Sequence, residues 1–202
     1  MSEHPKKERT FVALKPDAIQ RTLMGEIIGR LERVGLKLVA MKMLVASSEQ
    51  AEKHYTLDPV GLLRTAETAI KNYTEKGLKP PFDNREEYAK SILRALTGFI
   101  TSGPIVVMVW EGANAVRLVR KLVGVAEPMS SGIGTIRGDY VLDSYQMADA
   151  DNRAIRNLIH ASGTVGEAEN EINLWFKPEE ITNYRLVQEQ MLYDVNLDGI
   201  LE

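Results

Sequence analysis

A chain of 202 residues, 44 % of them apolar and 26 % charged, is long enough to bury a substantial core and polar enough to stay in water. Its formal charge of −3 gives nucleic acid or anionic lipid no electrostatic hold, and the absence of cysteine removes disulfides, thiolate metal sites and thiol nucleophiles. The polar start "MSEHPKKERT" lacks a signal-peptide core, and no apolar run approaches the roughly 20 residues that span a bilayer, so a single cytoplasmic domain over residues 1–202 is expected, with no membrane and no specific nucleic acid as partner.

In chain order, "RTFVALK" (9–15) is a β-rich run stopped by Pro16 and predicts a buried strand. "TLMGEIIGRLERVG" (22–35) spaces Leu23, Ile27, Leu31 and Val34 along one helical face and stops at Gly35. "LKLVAMKMLVA" (36–46) is apolar on both alternations, which predicts a strand inside a sheet rather than at its edge. Residues 49–55 predict a short helical turn carrying His54 and Tyr55. Two helical stretches follow, 59–77 and 84–100, parted by the breaker "LKPPFD". "PIVVMVW" (104–110) is the clearest strand of all.

"GANAVRLVRKLVG" (112–124) predicts a helix with Val116, Val119 and Val123 on one stripe. A loop of small residues, "AEPMSSGIGTIRGD" (126–139), leads to "YVLD", and 143–155 is polar and helix-like. "RNLIH" (156–160) is a short extended run, and "GTVGEAENEI" (163–172) predicts a short helix in which Thr164 and Glu167 match a capping box. "KPEEITNYRLVQEQML" (177–192) predicts a last helix with Pro178 near its first position. Short strands alternating with helices in this order predict an α+β fold: a ferredoxin-like antiparallel sheet with helices packed mostly on one face, plus inserted helical segments.

His160 carries the chemical interest. One reading is a half-buried ring at a strand end, satisfied by a single hydrogen bond. Its surroundings argue for more. Ala161, Ser162 and Gly163 leave space around the ring, and Ser162 or Thr164 can start a helix whose free N–H groups favour an anion. Glu167, Glu169 and Glu171 follow, and a carboxylate bonded to one imidazole nitrogen fixes the tautomer and frees the other as a nucleophile. With Val165, Ala168 and Ile172 as the apolar face, Glu169 and Glu171 both flank it, and spacing does not choose between them. An imidazole suits phosphoryl transfer, being largely neutral near pH 7 and forming a labile phosphoramidate.

Among the cations, Lys15 ends an apolar strand just before Pro16, a position ill suited to a solvated surface charge. Arg120 lies late in a valine-packed helix and Arg137 sits in "GTIRGD". Other apparent motifs carry less. "GIGTIRG" lacks the G-x-G-x-x-G spacing, and no P-loop sequence occurs. The tail "DVNLDGILE" sets Asp194, Asn196, Asp198 and Gly199 in calcium-loop register, but the twelfth-position glutamate is missing.

The combination of "KPD", "SGP", "GTIRGD" and "N-x-I-H-x-S", in that order, resembles the nucleoside diphosphate kinase family. The resemblance implies a ping-pong transfer of a γ-phosphoryl group from a nucleoside triphosphate to a nucleoside diphosphate through a phosphohistidine on His160. It further implies Glu171 as the carboxylate orienting that ring, Ser162 as support for the glutamate, and Tyr55 beside the histidine. It implies Lys15, Arg120 and Arg137 around the phosphates, Asn157 near the sugar and terminal phosphate, Mg²⁺ held mainly by nucleotide phosphates, and a homo-oligomer. The chain departs from the family pattern at Ala126, where a phosphate-touching threonine is usual, and at Gly163, where an aspartate is frequent. Two segments, roughly 58–95 and 143–154, are longer than in the compact form, and Phe82 in the first is a candidate for stacking on the base. A nucleotide-binding regulatory module without turnover and a plain oligomeric interaction protein are the alternatives.

Overall fold

The computed structural model describes residues 7–75, 77 and 79–193. The calcium-loop-like stretch at 194–199 lies outside the described residues. The chain begins with β1 (Arg9–Leu14), then α1 (Pro16–Gln20), α2 (Met24–Arg33), β2 (Lys37–Leu44), α3 (Ser48–Thr56), α4 (Pro59–Glu75) and α5 (Arg85–Ile100). It continues through β3 (Ile105–Glu111), α6 (Ala115–Val123), α7 (Ile136–Tyr140), α8 (Tyr145–Ala150), β4 (Ile159–Ala161), α9 (Val165–Trp175) and α10 (Gln188–Tyr193).

Local chemistry sets most of these limits. Pro16 takes the first position of α1, where a helix needs no N–H. Ser47 caps α3 by accepting the Gln50 N–H, and Asn84 caps α5 by accepting those of Glu86 and Glu87. Gly35 and Gly124 follow α2 and α6 with φ of 89° each, a conformation glycine adopts without steric cost.

The strands form one sheet in the order β2-β3-β1-β4, with each adjacent pair antiparallel. This is the ferredoxin-like arrangement the alternation of elements predicts. Helices cover both of its faces, not mostly one. Every residue of β3, and all of β1 after Arg9, is buried. Strands apolar on both alternations need cover on both sides. Val12, Leu14, Met108 and Trp110 meet Ile27 and Leu31 of α2 and Val119 of α6 on one face. Phe11, Ala13, Val107 and Val109 meet Ala51 of α3, Ile100 of α5 and Ile172 of α9 on the other.

Other expectations are corrected too. β2 lies at the sheet edge, and Met41 and Met43 on it are more than half exposed. Apolarity on both alternations therefore reports an uncovered apolar surface here, not an interior strand. The helix expected over 163–172 starts later and runs on to Trp175, and Val165 is exposed while Glu171 joins the buried face. The final helix breaks into a 3-10 turn at Pro178–Glu180 and α10, with non-helical chain between them. No helix among the described residues is long and apolar enough to cross a membrane.

Two-sided cover has a direct test. Ile105 and Met108 are fully enclosed on opposite faces of β3. Ile105→Ala and Met108→Ala should each lower unfolding free energy by about 2–5 kcal/mol in urea; tolerance of either one would mean that its face is uncovered.

Candidate active site

The site is assembled where β1 and β4 end. Ala13 of β1 pairs with His160 of β4. Leu158, just ahead of β4, has φ of 65°, a strained conformation for a leucine. Two bonds hold it there: its N–H donates to Asp17 Oδ2 at 3.0 Å and its carbonyl accepts the Lys15 N–H at 2.7 Å. The "KPD" sequence thus has a mechanical meaning. Pro16 turns the chain into α1, and Asp17 clamps the segment that delivers Asn157 and His160.

His160 Nε2 lies 2.6 Å from Glu171 Oε1. Glu171 is 2 % exposed, and its other oxygen accepts the Ser162 hydroxyl at 2.5 Å. Burial pushes the Glu171 carboxyl up, but His160 and Ser162 more than offset this and leave it below its ordinary range. An ionised carboxylate so placed accepts a hydrogen bond from an N–H at Nε2, which leaves the Nδ1 lone pair of His160 free.

Behind this pair stands His54, whose ring is edge-on to that of His160 with centroids 4.7 Å apart. Burial, aided by the neighbouring His160, lowers its pKa to about 3, so it is neutral. Sequence reasoning placed His54 on a helical turn and gave it no part in the site. Trp175 was likewise missed, although it stands four residues after Glu171 on α9 and its indole N–H donates to His54 Nδ1 at 3.3 Å.

The cations differ in freedom. Lys15, 6 % exposed, donates to Asn157 Oδ1 at 2.8 Å, and Asn157 Nδ2 donates to the Ala126 carbonyl at 2.8 Å. Burial and the neighbouring Arg137 lower the Lys15 pKa to about 8. Arg137 is 4 % exposed and donates to the carbonyls of Gly124, Val125, Asn157 and Ile159. A guanidinium has five N–H donors, so among the described residues one is left over for a ligand; Arg137 is framework as much as charge. Burial and Arg120 hold its pKa at about 10. Arg120, in the last turn of α6, is exposed and reaches the Ala161 carbonyl through one long bond of 3.4 Å.

The Tyr55 ring is 4.9 Å from that of His54, and its buried hydroxyl has no partner among the described residues. Burial raises its pKa, so it stays a neutral donor. Phe82 packs against Tyr88, ring centroids 5.5 Å apart, in the separate core between α4 and α5, whereas Phe99 lies 6.0 Å from Lys15 Nζ. The α9 N-terminus is occupied by its own side chains. Thr164 accepts the Glu167 N–H, but Glu167 accepts from Gly163 rather than completing the box on Thr164.

Ala126 supplies its carbonyl, through Asn157, to the loop facing Lys15. The segment 143–156 braces the run into β4: Asp143 accepts from both terminal nitrogens of Arg153, at 2.7 and 2.9 Å, and from the Arg156 N–H. Among the described residues, the donor atoms of His54, His160 and Glu171 lie within 4.8 Å of one another. Two imidazoles and one carboxylate do not match the all-oxygen preference of Mg²⁺.

The family model for nucleoside diphosphate kinase matches residues 8–59 and 64–181. The chain belongs to this family. A nucleoside diphosphate kinase from Pyrobaculum aerophilum is 47 % identical over 178 residues, spanning 86 % of this chain and 97 % of that relative. A crystal structure of an NDP kinase from the same organism aligns with a TM-score of 0.84 and 44 % identity, covering 88 % of this chain and 100 % of that one. A nucleoside diphosphate kinase from Borrelia burgdorferi, solved as a transition-state mimic with vanadate and ADP, aligns with a TM-score of 0.77 and 33 % identity over 93 % of this chain and 98 % of its own. Both solved relatives therefore share the overall arrangement of sheet and helices that brings these residues together.

The low Lys15 pKa gives a pH signature. Its charge is present below about pH 8 and is lost above it in the nucleotide-free protein. ADP affinity measured by titration calorimetry should hold steady below that pH and weaken above it, and Lys15→Gln should bind weakly without the break. Wild-type affinity that stays flat to strongly alkaline pH would remove Lys15 from phosphate binding.

Proposed function

We propose that His160 carries the phosphoryl group in a ping-pong nucleoside diphosphate kinase reaction. Its Nδ1 attacks the γ-phosphorus of a nucleoside triphosphate in line, the bond from that phosphorus to the β–γ bridging oxygen breaks, and a nucleoside diphosphate departs. A terminal oxygen of a second diphosphate then attacks the phosphohistidine and restores the free imidazole. The observation that carries this reading is the 2.6 Å bond from His160 Nε2 to a buried carboxylate, which leaves Nδ1 as the nucleophile.

The protein's remaining work is positioning and charge compensation. In this reading Lys15 and a remaining donor of Arg137 meet phosphate oxygens, and the exposed Arg120, oriented by its bond to the Ala161 carbonyl, supplies a third cation. Asn157, fixed between Lys15 and Ala126, offers the terminal phosphate and the sugar a rigid polar edge. The unpartnered Tyr55 hydroxyl adds a donor beside the ring. Mg²⁺ arrives on the nucleotide phosphates, and no step rests on a protein cage for it. Exposed Met41, Met43 and Val45, on and just past the edge strand β2, support a homo-oligomer, because a pairing edge with apolar side chains is unfavourable in water.

With γ-labelled ATP and Mg²⁺, the protein should acquire an acid-labile, alkali-stable label that GDP, CDP or UDP removes. His160→Ala should abolish the label, and Arg120→Ala should slow transfer by about 3 kcal/mol of lost transition-state stabilisation, the scale of one oriented donor. Bound nucleotide without an adduct would favour the regulatory module, and label that survives acid would point to a hydroxyl nucleophile.

A further inference from the structure

The reading of His160 as nucleophile raises a question that its own hydrogen bond does not answer. Glu171 Oε1 has two imidazoles within reach, His160 Nε2 at 2.6 Å and His54 Nδ1 at 3.6 Å. Its partner oxygen is engaged by Ser162. A neutral imidazole carries one N–H, on either nitrogen. A proton on His54 Nδ1 would face Oε1 and compete with His160 for the same carboxylate oxygen.

Trp175 decides where that proton sits. An indole nitrogen is a donor only, and the Trp175 N–H is directed at His54 Nδ1 over 3.3 Å. That bond exists only when Nδ1 presents a lone pair, so the proton must sit on His54 Nε2. That Nε2 position is buried and has no partner among the described residues, so this tautomer carries a cost of about 1–3 kcal/mol that the Trp175 bond has to offset. The indole is itself fixed. It stacks on Phe11 with ring centroids 6.0 Å apart and planes inclined by 17°, and it is 2 % exposed.

We propose that Trp175 and His54 are positioning residues forming a tautomer lock, in which the indole N–H keeps the His54 proton on Nε2 and so reserves Glu171 for His160. Burial supports the lock by holding His54 neutral, with a single proton to place. The His54 ring, its centroid 4.7 Å from that of His160 and its plane inclined by 84°, adds a steric stop that limits rotation of the His160 ring.

The test combines a spectrum with a pair of variants. In histidine-¹⁵N protein, long-range ¹H–¹⁵N correlations should show His54 protonated at Nε2. Trp175→Phe keeps a ring but removes the N–H, and the His54 proton should then move toward Nδ1. Turnover should fall about tenfold while KM stays within about twofold, the pattern of a lost orienting interaction. Adding His54→Phe, which removes the competing donor, should recover much of that loss. Wild-type His54 protonated at Nδ1, unchanged turnover in Trp175→Phe, or a double variant no faster than the single one would each overturn the lock. The wild-type spectrum answers for the lock whether or not His160 accepts a phosphoryl group, so failure of the lock and failure of the assigned reaction are separable.

Discussion

The bond between His160 Nε2 and Glu171 Oε1 sets the requirements that the surrounding structure meets. It joins a strand residue to a helix residue eleven positions later, so β4 and α9 must be held at one fixed angle and distance. Ser162 contributes from both ends, accepting the Phe11 N–H of β1 and donating to Glu171. Asp17 holds the entrance to β4 through Leu158. A buried carboxylate is costly to ionise unless donors surround it, and here two side chains supply them.

The cations of the site, Lys15, Arg120 and Arg137, outnumber the acidic group beside them, Asp17. Beyond the effect of burial, Arg137 depresses the affinity of Lys15 for protons and Arg120 that of Arg137, and Asp17 offsets each only in part. Such repulsion costs stability in the empty protein and is relieved when an anion enters. A site that holds its donors in place before the ligand arrives needs no reorganisation at the moment of transfer. Arg137 shows how this is done, since four backbone carbonyls fix its guanidinium and draw the loop at 124–125 and the run at 157–159 together.

Some of this was readable from the sequence and some was not. β1 and β3 were legible because uninterrupted apolar runs have few other uses, but their full burial also meant helices on both faces, which alternation alone did not convey. α1 and α7 went unseen because five-residue helices have no periodicity; they depend on Pro16 and on Thr135 accepting the Gly138 N–H. Spacing left Glu169 and Glu171 open because Val165 was placed on the apolar face of α9. The buried stripe in fact runs Ala168, Glu171, Ile172, Trp175, and Glu169 is exposed. That stripe, with Trp175 one turn beyond the glutamate, was the available signal for both. His54 had no such signal, since its role comes from the packing of α3 against α9, and Phe82 looked free only because the α4–α5 core is invisible in one dimension.

The central claim is that Glu171 holds Nε2 and so leaves Nδ1 of His160 to take the phosphoryl group. Phosphorylating ¹⁵N-histidine protein with ATP and recording ³¹P–¹⁵N couplings tests this most directly. One phosphorus bonded to Nδ1 of His160 is expected; a phosphorus on Nε2, or on any residue other than His160, would refute this assignment.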